Sequence, residues 1–83
     1  METVMDKIER WKLLTNLFIK KNTKTFIREL NGDFHFCTII LVDDDYISIK
    51  NFGPEQRAGT EEKIYWYNIS ELDEFKERGE GNG

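Results

Sequence analysis

The 83-residue chain predicts a mainly β fold, in which one N-terminal α-helix is followed by five short, strongly bent strands forming a small barrel. Three observations predict it. Apolar residues near the N-terminus recur at helical spacing. From residue 23 onward the pattern changes to alternation and short apolar runs. Asn-Gly, Asp-rich and Gly/Pro segments then cut that second part into pieces too few for two broad sheets.

The helix is predicted over residues 4–20. Val4, Ile8, Trp11, Leu14 and Phe18 form one apolar stripe, and Lys7, Arg10, Lys12 and Lys20 lie off it. Thr3 with Asp6 makes a capping-box pattern, and Asn22 is a stop before the weak helix formers T-K-T.

The first strand, T-K-T-F-I-R-E-L (23–30), runs into Asn31-Gly32, a hairpin signal because both residues tolerate positive φ. D-F-H-F-C-T-I-I-L-V (33–42) alternates in its first half and is apolar throughout its second, the pattern of a long, bent central strand. D-D-D (43–45) turns the chain into a third strand, Y-I-S-I-K-N-F (46–52), and G-P-E-Q-R-A-G-T (53–60) is a loop. K-I-Y-W-Y-N (63–68) predicts a fourth strand, with Ile64 and Trp66 on one face and Tyr65 and Tyr67 on the other. E-L-D-E-F-K (71–76) predicts a shorter fifth. Residues 1–78 are predicted to form a single domain and 79–83 a flexible Gly-rich tail.

A chain of this length buries only about 60% of its unfolded surface, so self-association is expected. Cys37 is alone, which excludes an intrachain disulfide and fits a reducing compartment. The longest aliphatic run, I-I-L-V (39–42), is far shorter than a membrane span, and the first ten residues have no signal-peptide core. A cytoplasmic protein without a membrane partner is therefore expected. The formal net charge of −4 is unevenly shared. Residues 1–28 hold seven Lys/Arg against three acids, and residues 29–83 hold five against thirteen. One face is expected to be basic even though the whole is acidic.

The order helix, strand, Asn-Gly hairpin, long bent strand, Asp turn, strand, loop, strand, strand resembles the Sm-like family, including its bacterial Hfq branch. V-D-D-D-Y-I-S-I-K-N-F (42–52) is similar to the family's first motif, with Asp44 at the acid position, Tyr46 at the ring-bearing position, and Ser48 where Sm proteins carry Asn. Y-W-Y-N-I-S (65–70) is similar to the Hfq form of the second motif at Tyr65, Ile69 and Ser70, but Trp66 and Tyr67 stand where Hfq has lysine and histidine. The resemblance spans roughly residues 10–76. It implies an SH3-like barrel of Sm type, closed rings of about five to seven subunits in which the fourth strand of one pairs with the fifth of the next, and binding of U-rich or A-rich single-stranded RNA. It places Ile64, Tyr65, Trp66, Leu72 and Phe75 at the subunit interface.

Carried over, the resemblance makes Tyr46 one wall of a base pocket and Trp66 or Tyr67 the other, with Ser48 and Asp45 at base edges. Lys12, Lys20, Lys21 and Lys24 would repeat around a ring as a basic face for phosphates. Against this stands the alternative of a protein-interaction or assembly module whose aromatics form the interface and whose acidic second half meets a basic partner. His35 and Cys37 share a strand face, but zinc would need two more ligands, and a bare Cys–His pair is weak ground for catalysis. No catalytic residue, metal or cofactor is expected, and no enzyme.

Overall fold

The computed structural model describes residues 2–76, so the predicted tail at 79–83 lies outside the described residues. The fold is mainly β, with an N-terminal helix and one bent, five-stranded antiparallel sheet of the small-barrel type. Helix α1 spans Val4–Lys21. The strands are β1 (Lys24–Glu29), β2 (Phe34–Val42), β3 (Tyr46–Gly53), β4 (Glu61–Tyr65) and β5 (Ile69–Glu74), in the order β4-β3-β2-β1-β5. One-turn 3-10 helices at Glu55–Arg57 and Trp66–Asn68 flank β4.

The predicted helix caps are present. The Thr3 hydroxyl accepts from the Asp6 amide at 3.1 Å and the Asp6 carboxylate accepts from the Thr3 amide at 3.2 Å. Asn22 ends the helix in the left-handed region at φ 53°, its amide donating back to Ile19. Ile8, Trp11 and Phe18 bury their side chains, whereas Val4, the first member of the predicted stripe, is exposed. Thr15 takes a buried place on the same face, because its hydroxyl is satisfied by the Trp11 carbonyl at 2.8 Å.

At the β1–β2 hairpin only Gly32 has positive φ, at 96°. The Gly32 amide donates to the Glu29 carbonyl, and the Glu29 amide donates to that of Asp33. This makes a three-residue loop in place of the two-residue turn that Asn-Gly suggests.

Register shifts bend the sheet. β2 and β3 slip at Phe36/Cys37 and Ile39/Leu41, and β1 and β5 slip at Arg28/Glu29. The concave side carries Ile27, Cys37, Ile39, Ile47, Ile49, Ile64 and Leu72, which pack with Ile8, Trp11 and Phe18 of the helix into one core. A polar cluster closes one end of it. His35, 1% exposed, has Nε2 2.7 Å from Glu29 Oε2 and Nδ1 3.2 Å from Asn51 Oδ1. The buried Asn51 amide donates to Thr60 and Glu62 at 2.9 and 2.7 Å, tying β1 through β4 together.

The fourth strand departs from expectation. It runs Glu61–Tyr65 and then tightens into the 3-10 turn Trp66–Asn68, so the predicted strand over 63–68 is half strand and half turn. The fifth strand starts earlier than predicted, at Ile69, and ends at Glu74. The alternation nonetheless persists through the turn, with Ile64 and Trp66 buried and Tyr65 and Tyr67 exposed.

Candidate nucleic-acid interface and aromatic cleft

The predicted site residues separate into three places. Tyr46, Ser48 and Lys24 lie on the outer face of the sheet, opposite the core. Asp45 and Tyr67 border a cleft beside the helix. Lys20 and Lys21 sit in the last helical turn, far along α1 from that cleft.

The outer face follows from strand register. Lys24 pairs with Thr38, Thr38 with Lys50, and Lys50 with Glu61. One step along, Phe26 pairs with Phe36, and beyond it Arg28 pairs with Phe34. Toward the other end Ser48 pairs with Lys63 and Tyr46 with Tyr65. Paired residues share a face, so the three central strands present Lys24, Phe26, Arg28, Phe34, Phe36, Thr38, Tyr46, Ser48, Lys50 and Phe52 outward. No acid is among them. The acids of this face, Glu61, Glu71 and Asp73, come from the two edge strands.

Five phenylalanines gather there. Phe36 lies 5.0 Å from Phe75, 5.4 Å from Phe34 and 5.7 Å from Phe26, centroid to centroid, and Phe52 lies 5.6 Å from Phe75. Phe34 and Phe52 remain well exposed. Cations stand over the rings: Lys24 Nζ is 5.4 Å from the Phe52 centroid and Lys63 Nζ 4.5 Å from that of Tyr46. Arg28 is 5.7 Å from Phe26 while also pairing with Glu71 at 3.6 Å. Phe26, Phe34, Phe36, Phe52, Arg28, Lys50 and Lys63 are absent from the site expected from the sequence. Their signal is the period-two spacing in K-T-F-I-R, F-H-F and K-N-F, which becomes one surface only when the strands are set in register.

Trp66 does not offer a face. It is 2% exposed, its Nε1 donates to the Asp43 carbonyl at 2.9 Å, and its amide donates to that of Asp45 at 3.2 Å. Burying the largest side chain of the segment outweighs displaying it, so the second wall of the predicted base pocket is absent at this position. Ile64 and Leu72 are likewise buried within their own chain, and Phe75 joins the phenylalanine cluster. Of the five residues predicted at a subunit interface, Tyr65 alone has an exposed side chain on an edge strand.

The cleft, about 330 Å³, is lined by Met5, Ile8 and Lys12 of the helix, Asp44 and Asp45 of the β2–β3 turn, and Tyr65, Trp66 and Tyr67. The Tyr65 and Tyr67 rings stack at 5.9 Å and 21°. Tyr65 also meets Tyr46 edge-on at 5.9 Å. Lys12 pairs with Glu9 at 3.6 Å.

His35 and Cys37 do share a face, the buried one. Burial pushes the Cys37 thiol up to about 12, with Glu62 adding to the effect, so a thiolate nucleophile is suppressed. Among the described residues no three His, Cys, Asp or Glu side chains are placed to hold a metal ion, and no helix is long and apolar enough to cross a membrane. No family model, curated protein or solved structure matches the chain.

Proposed function

We propose that the chain is an Sm-like, ring-forming protein that binds single-stranded RNA on the outer face of its sheet and catalyses no reaction. The observation that carries the RNA reading is the acid-free array of Lys24, Phe26, Arg28, Phe34, Phe36, Lys50 and Phe52 on the three central strands. Aromatic faces interleaved with cations suit a single strand, because each base can stack whatever its sequence while its phosphate meets a charge. This moves the RNA surface from the Trp66 pocket to the sheet, keeping Tyr46, Ser48 and Lys24 of the expected site.

Ring closure is supported by topology. Among the described residues β4 and β5 are the two edges of the sheet, each paired on one side, and joining the fourth strand of one copy to the fifth of the next removes both edges. With Ile64, Trp66 and Leu72 used inside the protomer, such a seam rests on the pairing of the two strand backbones.

The test is a mass measurement in solution followed by titration with U-rich and A-rich oligoribonucleotides. The expected result is a closed multimer whose RNA affinity drops when Phe52 or Lys50 is replaced by alanine. A monomer would overturn the ring, and indifference of both variants and both oligomers would overturn the RNA surface.

A further inference from the structure

Two carboxylates at the cleft between α1 and the Trp66–Asn68 turn are at odds with a phosphate ligand. Asp44 and Asp45 both line it, and both are exposed. Lys12, the cation among the lining residues, is already engaged by Glu9. The stacked Tyr65 and Tyr67 rings are 41% and 66% exposed, so aromatic face is available beside the acids. Ile8, Met5 and the buried Trp66 supply an apolar lining.

We infer that this cleft binds a cationic side chain, a guanidinium or methylated ammonium, presented by a basic peptide. Such a group carries a charge that Asp44 and Asp45 complement. Its flat or methylated surface lies on an aromatic quadrupole, and its apolar stem is accommodated by Met5 and Ile8. A cation within about 6 Å of a tyrosine centroid gains from the ring face, and more so when an apolar wall removes water. The Asp43 and Asp45 carbonyls that hold Trp66 fix the turn against the rings, so the acids and the aromatics stand together before any ligand arrives. The cleft shares Tyr65 with the outer sheet face, where that ring meets Tyr46, so the RNA surface is tested away from it, at Phe52 and Lys50.

The experiment is calorimetric titration of the whole protein with an acetylated, amidated Gly-Arg-Gly-Arg-Gly peptide and with the same peptide carrying neutral citrulline for arginine. The arginine peptide is expected to bind and the citrulline peptide to bind far more weakly. Tyr67→Ala and Asp45→Asn, both at exposed positions that leave the core intact, are each expected to weaken binding about fivefold or more, the scale of one cation–π or ionic contact. Tyr67→Phe keeps the ring face and is expected to bind as the parent does, which separates the cleft from general attraction to an acidic protein. Equal binding of the two peptides, or unchanged binding by Tyr67→Ala, would overturn the inference. So would a Tyr67→Ala variant that loses oligoribonucleotide binding while keeping the peptide. Phe52→Ala is expected to leave the peptide affinity unchanged, so failure of the RNA surface and failure of the cleft read out on different variants.

Discussion

A β-carbon added at Gly53 would stand 3.0 Å from Cδ2 of Phe36. These two residues face each other across β2 and β3, and the Phe36 ring lies over the glycine with Phe75 and Phe52 around it. Gly53→Ala is therefore expected to push the ring aside at a cost of about 1–3 kcal/mol, the range for overpacking a fitted site. Urea denaturation measures it, and a variant as stable as the parent would mean that Phe36 yields freely.

RNA affinity and ring closure are expected to respond to salt in opposite directions. Each phosphate neutralised on the outer face adds about 0.7 to the slope of log affinity against log salt for a single strand. Lys50→Ala should lower that slope by about the same amount. The edges that would meet in a ring carry Glu61, Glu62 and Lys63 on β4 and Glu71, Asp73 and Glu74 on β5, so acids outnumber the one base. Like charges repel less when screened, so the multimer should be favoured on going from about 0.05 to 0.5 M salt. Light scattering at the two concentrations checks this, and a multimer that falls apart in salt would contradict it.

The polar cluster at the end of the barrel gives a third expectation. Glu29→Ala leaves His35 Nε2, buried and 2.7 Å from the lost carboxylate, without its partner. The loss should be about 1–3 kcal/mol, the cost of stranding a buried polar group, and Glu29→Gln should recover part of it. Chemical denaturation of both variants distinguishes the hydrogen bond from packing.

Cys37 sets an alkaline limit. Its thiol is pushed from 9.0 to about 12 in the folded chain, so the unfolded state loses that proton first as pH rises. The stabilisation from keeping the thiol neutral is complete below about pH 9 and declines between 9 and 12. Cys37→Ala should flatten stability over that window, whatever its cost near neutrality. A thiol reagent at pH 8 should label the parent only at the rate of unfolding, and rapid labelling of the native protein would contradict the assignment.

Short-range features could be read from the sequence. The Thr3–Asp6 box, the Asn22 stop and the stripe of Ile8, Trp11, Leu14 and Phe18 depend on residues within a few positions of each other, where sequence spacing and physical distance coincide. Three features could not. The alternation in Y-W-Y-N imitates a strand, although the chain tightens into a 3-10 turn at Trp66 because the Asp43 and Asp45 carbonyls draw the indole and its amide inward. The phenylalanine face depends on the register of β1 against β2 and of β2 against β3. The second of those contains two slips, so period-two spacing within each strand does not say which rings meet. Thr15 was hidden for a third reason, since a hydroxyl satisfied by its own helix behaves as a core side chain.

The way Trp66 is held separates what the fold requires from what the surface is free to say. Its two anchors are main-chain oxygens of the Asp43–Asp45 turn, and the carboxylates of those residues take no part in them. Any residue that can follow the same turn supplies the same oxygens. The lettering of the turn can thus drift, or be rewritten by design, and change what the neighbouring cleft attracts while the indole beneath it stays in place.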